Sequence, residues 1–250
     1  ARCRRSSGAT GVAGQHIPRP AGARPGAGPP WPVLAPARAD RGVVRIADVR
    51  RAVLGRRPEA PDVLDGRGQS EVPPAGAHRP SSAVLVAVWE EDREARLLLT
   101  RRGTWMRSHS GQVAFPGGRV EPGEDLVDAA LREAAEEVAL DPASVEVVGR
   151  LRGLHTVSSG ADIHPFVGLL PGRPLTVANP AEVDRVFDVA IAELMTEGVF
   201  HEEIWDLGGT ERPVYFFDVA GETVWGATAF MLHDLLALVA LVARGRPGPA

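Results

Sequence analysis

A mixed α and β fold, preceded by an extension with little capacity to pack, is the class the sequence predicts. Three observations lead there. Apolar runs of strand length recur from Ser81 onward, a few helical stretches are interspersed among them, and the composition changes near residue 80. Strands mixed with few helices imply an α+β or α/β sandwich.

The extension comes first. Arg2, Arg4, Arg5, Arg19, Arg24 and Arg38 precede the first acidic residue, Asp40, and prolines recur at positions 18, 20, 25, 29, 30, 33 and 36. Such a segment buries too little apolar surface to offset chain entropy, so residues 1–80 are expected to be largely disordered, with a short helix over Ile46 to Leu54. The same arginine-rich, acid-poor start also suits a transit peptide. The first residue is not methionine, so the start reads as a fragment or an over-extended reading frame.

A folded domain is expected over residues 81–243, with residues 244–250 as a flexible tail. Ala83 to Trp89 and Ala95 to Thr100 read as buried strands, divided by the charged turn Glu90 to Arg93. Gln112 to Phe115 is a short strand ahead of Pro116-Gly117-Gly118, and Asp125 to Val138 is a helix. Val145 to Leu151, Ile163 to Leu169, Val183 to Val189 and Val214 to Asp218 are further strands. Ile191 to Met195 is a short helix and Ala227 to Val242 a longer one. Internal repeats are absent.

Composition narrows the function classes. Hydrophobic residues make up 44% of the 250 residues, enough for a sizeable core, while charged residues are 24% and the net charge is −4. That balance gives no signal for nucleic-acid or membrane binding. Cys3 is the single cysteine, so an internal disulfide framework is excluded and a reducing compartment fits. The chain has no lysine, a sign of a GC-rich genome, which lowers the weight of any one arginine. A run of about 18 apolar residues is lacking, and Phe230 to Ala243 is interrupted by His233 and Asp234, so a core or terminal helix is expected there.

The chemistry concentrates on the helix over Asp125 to Val138. Val127, Ala130, Leu131, Ala134 and Val138 form one apolar stripe. Glu133 and Glu137 lie about 40° apart on the helical wheel, with Glu136 beside them and the acidic face roughly 130° from the apolar centre. Like charges at this spacing cost a few tenths of a kcal/mol per pair, roughly, and they sit near the helix C-terminus, where negative charge is disfavoured. A hard divalent cation removes that cost, since carboxylates are the preferred ligands of magnesium and manganese. Arg132 can pair with Glu136 or reach back to Glu124. A solvated acidic face is the other explanation of three glutamates taken alone.

The flanking spacing decides between the two. Gly118, Glu124, Arg132, Glu133, Glu136, Glu137 and Leu140 stand in a pattern that resembles the Nudix box, G-x5-E-x7-R-E-U-x-E-E-x-G-U with U aliphatic. Ala139 stands where the box has glycine, which puts the helix exit in question, and Ala134 is a small choice for U. The run from Leu98 to Gly118 is similar to the segment that marks coenzyme A pyrophosphatases of that superfamily. Arg102, Arg107, Gly111 and Phe115 to Gly118 fall in register, and Gly103-Thr104 replaces the usual start of a serine pair. Asn179 to Val183 and Trp225 to Ala229 are also similar to that subfamily. The resemblance spans roughly residues 81–243.

The resemblance implies a Nudix-type α/β/α sandwich around a mixed sheet and a Mg2+ or Mn2+ cofactor. It implies hydrolysis of the pyrophosphate of coenzyme A or its derivatives to 4′-phosphopantetheine and adenosine 3′,5′-bisphosphate. Glu133, Glu136 and Glu137 would ligate metal with the Gly117 carbonyl, Gly118 and Arg132 would be structural, and Glu124 is a partner of Arg132 before it is a ligand. Arg102 and Arg107 suit phosphate oxygens, because guanidinium matches phosphate geometry, and ordinary surface charge is their alternative. His109 is either a phosphate contact or a hydrogen-bonded loop histidine. Glu182 is the chosen water-activating base by resemblance; Glu202 and Glu203, in an expected loop, could serve instead.

His201 beside these glutamates fits no zinc spacing, and His155 with Ser158 and Ser159 lacks a nucleophile elbow. His164 reads as a strand-end residue and Trp105 as a flank of the pocket. Another Nudix substrate, such as an ADP-sugar or a nucleoside triphosphate, and a non-catalytic binding domain remain as alternatives. Expected partners are a small diphosphate substrate and, at most, a second copy of the chain, with neither nucleic acid nor membrane. A cytoplasmic location is expected, with organellar targeting by the extension left open.

Overall fold

The computed structural model describes residues 17–34, 44–56, 63–64, 80–106, 108–156 and 160–244. In chain order, β1 (Arg24–Pro25) and α1 (Ile46–Leu54) are followed by β2 (Val63–Leu64), β3 (Ser81–Glu91), β4 (Glu94–Arg102), β5 (Val113–Ala114) and β6 (Gly117–Arg119). Then come α2 (Leu126–Val138), β7 (Glu146–Arg150), β8 (Gly153–His155), β9 (Asp162–Leu169), β10 (Val183–Ala190) and α3 (Ile191–Leu194). The last elements are β11 (Phe200–Asp206), β12 (Glu211–Val219), β13 (Glu222–Trp225) and α4 (Gly226–Arg244).

β3 organises the molecule. Its eleven residues alternate between two buried faces, as period-2 geometry requires. Ala83, Leu85, Ala87 and Trp89 pack with Ala129, Ala130, Ala134 and Val138 of α2 on one side. Val84, Val86 and Val88 join Leu97 and Leu99 of β4, α1 and α4 on the other. The sheet is therefore the middle of three layers, an α/β/α sandwich. A strand buried on both faces reads as a continuous apolar run, which is how Ala83 to Trp89 looks in the sequence.

The central sheet is mixed. Its strands follow the order β10-β4-β3-β9-β8-β2, and the β3–β9 pair is parallel, from Ser81↔Asp162 to Val88↔Leu169. The β3–β4 hairpin closes on Asp92 and Arg93, whose φ angles of 51° and 66° make the left-handed turn that matches strand twist. The expected four-residue turn thus shrinks to two. Beyond Leu97 the two strands separate. β5 then pairs with β4 at Thr100 and Arg101, and β6 pairs with β3 at Ser82 to Val84, so Phe115 and Pro116 are wedged into the fork.

A smaller sheet, β1-β11-β12-β13, carries residues expected in a loop. Glu202 and Glu203 lie on β11, paired with Tyr215 and Val214 of β12, and are not in a loop. Alternating charge and aromatics on β11 hid a strand whose inner face meets Trp31 and Phe217.

Where it is described, the extension docks on the domain. Trp31, Val44, Val49, Ala52 and Val53 are buried in the main core. Trp31 sits 5.0 Å from Phe200 and 5.3 Å from His233, ring centroid to centroid. α1 forms over the expected residues, and Glu90 of β3 holds its start, accepting from the Ile46 N–H at 3.2 Å and from Arg45 at 2.7 Å. A composition averaged over eighty residues conceals a few large apolar anchors, and these suffice to dock short segments. Residues 1–16, 35–43, 57–62, 65–79 and 245–250, which complete the expected extension and tail, lie outside the described residues.

Candidate active site

α2 carries the acidic cluster. Its N-cap is Asp125, with extended backbone, and its chain leaves the helix at Ala139 with φ 55° and ψ 30°. The Ala139 N–H donates to the Ala135 carbonyl at 3.0 Å, so the left-handed exit usually made by glycine forms here on alanine. Ala134, an unusual residue for its place in the box, is fully buried in the same cluster as Ala83, Leu85 and Ala87. Small residues on both sides let α2 sit close to β3.

That close approach changes the expected acidic face. Glu137 is not solvated: it is 3% exposed, and only Glu136 is largely open to water. The helical wheel places Glu137 correctly on α2, but the wheel does not include the loop that covers it. The Gly117 N–H donates to Glu137 Oε2 at 3.2 Å, and Arg102 Nη1 at the end of β4 donates to Oε1 at 3.3 Å. Two glycines make room. A methyl group on Gly118 would lie 2.6 Å from Glu133 Oε1, and one on Gly117 would lie 2.6 Å from the Val84 Cα. The contact at Gly117 meets backbone and requires glycine, whereas one at Gly118 would push the Glu133 carboxylate aside.

Arg132 ties the rest together with five hydrogen bonds. Its Nε and Nη2 fork onto Glu124 at 2.8 and 3.1 Å. Its Nη1 reaches Glu133 at 3.0 Å and Glu136 at 3.2 Å, and Nη2 also caps the Arg119 carbonyl at 3.1 Å. Both expected pairings of Arg132 are therefore made at once. Glu124 is a structural partner, and the guanidinium holds its carboxyl below the usual range. In turn, Arg132 is held more firmly protonated than usual.

The two inner carboxylates shift the other way. Burial pushes Glu137 up to about 7, against the opposing pull of the Gly117 N–H and Arg102; the charges of Glu182 and Glu133 add to the rise. Burial also raises Glu133, more than Arg132 lowers it, and Glu136 and Glu182 add to that. Glu182 thus lies within electrostatic reach of both. It sits in the turn just before β10, and its carbonyl accepts from the Gly103 N–H at 2.7 Å.

Among the described residues, no three acidic or histidine side chains converge on one point. Glu133 and Glu136 lean on Arg132, while Glu137 leans on Arg102. The donor set nonetheless suits a hard divalent cation. It offers carboxylate oxygens only, and its two inner members are crowded and desolvated, which is the condition a metal relieves.

The other expected residues have partners of their own or lie outside the described residues. His109 is exposed in a left-handed turn, and its Nδ1 lies 2.9 Å from Gln112 Oε1, the geometry of a loop histidine. Arg107, Ser158 and Ser159 lie outside the described residues. His155 pairs with Asp162 at 2.8 Å. Glu203 takes Arg19 at 3.1 Å and the Trp205 indole at 2.7 Å, and Glu202 accepts from the Ala27 N–H at 3.0 Å. Both are committed to the packing of the 17–34 segment on β11. The sequence reading did not anticipate that Arg101, adjacent to Arg102, points to the opposite side of β4, where it bonds Asp184 and Glu222. Strand alternation alone could have separated the two.

A NUDIX domain model matches residues 79–205. A protein named "Uncharacterized Nudix hydrolase NudL" from Photorhabdus laumondii is 41% identical over 140 residues, 56% of this chain and 74% of the relative. A protein of the same name from Yersinia pestis is 38% identical over 149 residues, 59% of this chain and 74% of the relative. Among solved structures, the NUDIX domain of Shewanella oneidensis NrtR complexed with ADP ribose is 20% identical. It has a TM-score of 0.40 and covers 48% of this chain and 79% of that one.

Proposed function

The chain belongs to the Nudix family, and on that premise we propose that it hydrolyses the pyrophosphate bond of coenzyme A or its derivatives. The products are 4′-phosphopantetheine and adenosine 3′,5′-bisphosphate. The hydrolase reading is carried by one observation: the buried carboxylate of Glu137, with half-buried Glu133 one helical turn before it, meets Arg102 of β4 and feels the charge of Glu182. Coenzyme A as the substrate is supported by the run from Leu98 to Gly118.

Glu133, Glu136 and Glu137, with the Gly117 carbonyl, would hold Mg2+ or Mn2+. The ion would neutralise diphosphate charge and make phosphorus more open to attack. Arg132 keeps Glu133 and Glu136 oriented through its Nη1. Arg102 exchanges Glu137 for a phosphate oxygen and so orients the diphosphate. Arg107 is assigned to the same substrate by the resemblance, while His109, turned to Gln112, is left out of it. Glu182, in the turn that leads into β10, takes the proton from the attacking water.

A substrate panel tests this reading. Coenzyme A, an ADP-sugar and a nucleoside triphosphate are incubated with Mg2+ or Mn2+, with a chelator control. Coenzyme A is expected to be cleaved fastest, to the two named products, and the chelator to stop the reaction. Faster cleavage of either competitor removes coenzyme A as the substrate.

A further inference from the structure

The loop that follows Arg102 holds a tryptophan in an unusual way. Trp105 is 55% exposed, yet its orientation is fixed. Its Nε1 donates to the Ala181 carbonyl at 2.9 Å. One side of its ring lies on Gly103, where a methyl group would come within 2.5 Å of Cζ2. The Gly103 N–H in turn donates to the Glu182 carbonyl at 2.7 Å. The indole is therefore latched to the Ala181–Glu182 backbone, three residues from the guanidinium that reaches Glu137. An isolated exposed aromatic needs no explanation. This one has its only polar atom satisfied by protein, one side packed on a glycine and the rest in water, beside the cluster assigned to a diphosphate.

We propose that Trp105 is a specificity-determining residue, a platform on which the planar base of a nucleotide-containing diphosphate stacks while its phosphates lie at Arg102. The inference rests on the hydrolase reading above for its substrate and deepens it. A held ring loses little freedom when a base settles on it, and stacking is indifferent to hydrogen-bond pattern, so the platform recognises a base as a flat surface. Gly103 belongs to the same device: any side chain there would displace the ring.

The test compares Trp105→Ala and Trp105→Phe with the parent chain on two substrates, coenzyme A and a ribosyl diphosphate ester lacking the base. Trp105→Ala is expected to raise KM for coenzyme A roughly tenfold, with kcat within about twofold. Trp105→Phe should retain most of the affinity, and KM for the base-free ester should be the same in all three proteins. An unchanged KM for coenzyme A, or an equal loss on both substrates, overturns the proposal. A fluorescence titration with AMP gives a second readout that needs no turnover: quenching in the parent chain should shrink in Trp105→Phe. A parent that cleaves nothing sinks the hydrolase reading, and the titration still decides the platform. Quenching equal in parent and variant refutes it.

Discussion

Arg102 Nη1 and Glu137 Oε1 meet 3.3 Å apart, one from the end of β4 and the other from the last turn of α2. The contact joins the two elements across the fork of the sheet and gives a buried carboxylate a cationic partner. Removing the charge without changing the shape isolates its role. Glu137→Gln keeps an acceptor for the Gly117 N–H and relieves the desolvated charge. Turnover is expected to fall at least about a hundredfold, while the unfolding midpoint in metal-free buffer does not drop. Steady-state kinetics and thermal denaturation check the pair of outcomes; unchanged turnover would remove the acidic cluster from the chemistry.

Gly118→Ala tests how tightly the cluster is fitted. The added methyl group would stand 2.6 Å from Glu133 Oε1, so the carboxylate must turn away from Arg132. Affinity for Mn2+, measured by titration calorimetry, is expected to weaken about tenfold or more, with the circular dichroism spectrum unchanged.

Ala139 bears a left-handed conformation at the end of α2. An L-residue with a Cβ is strained there, and glycine is not, though glycine has more freedom to lose on folding. Ala139→Gly is expected to stabilise the protein by about 1 kcal/mol, equivalent to a rise of roughly 2–4 °C in the thermal midpoint. A lowered midpoint would contradict the exit geometry.

The described part of the extension is accountable to the same kind of measurement. Trp31 is 3% exposed and packs on Phe200, Phe217 and His233. Trp31→Ala is expected to cost about 3 kcal/mol, in the range for truncating a large buried aromatic. Denaturant unfolding gives the number, and a change under about 0.5 kcal/mol, the size of an ordinary surface substitution, would show that the segment is not docked.

His233 supplies a pH signature. It is stacked on Tyr215 at 4.0 Å, and burial pushes its pKa down from 6.5 to about 4. Above pH 6.5 the ring is neutral in folded and unfolded chains alike, so it contributes no pH dependence. Between 6.5 and about 4 the unfolded chain takes up the proton and the folded chain does not, so stability falls as pH falls. The loss approaches about 3 kcal/mol at the low end. His233→Phe keeps an aromatic ring and should flatten the stability profile across that window relative to the parent. Parallel profiles for the two proteins would refute it.

Much of this was legible in the sequence, and the failures have physical causes. The apolar runs of β3 and β4 and the helical stripe of α2 announced themselves because each is buried along its whole length or on one clear face. The box residues were readable from spacing alone, and the structure groups Glu133, Glu137, Arg132 and Gly118 as that spacing requires. The burial of Glu137 was not readable, because the covering group is the backbone of Gly117 and a backbone leaves no mark in a pattern of side chains. β11 was missed because its charged residues bond to a segment nearly two hundred positions earlier, as Glu202 does to Ala27. The latch on Trp105 was hidden for a similar reason: it needs Gly103 and Ala181 together.

The parallel pairing of β3 with β9 has a consequence for how the chain assembles. Parallel neighbours need a crossover, and here the crossover contains β4, β5, β6 and all of α2. Every group of the acidic cluster except Glu182 is therefore threaded through the long closure between Ser81 and Asp162. Such distant pairings form slowly, after local ones have been made. A chain stalled before that closure would have its helix and its hairpin but no mutual orientation between them, so recovery of activity during refolding should trail recovery of helicity and mark the moment the two halves of the sheet join.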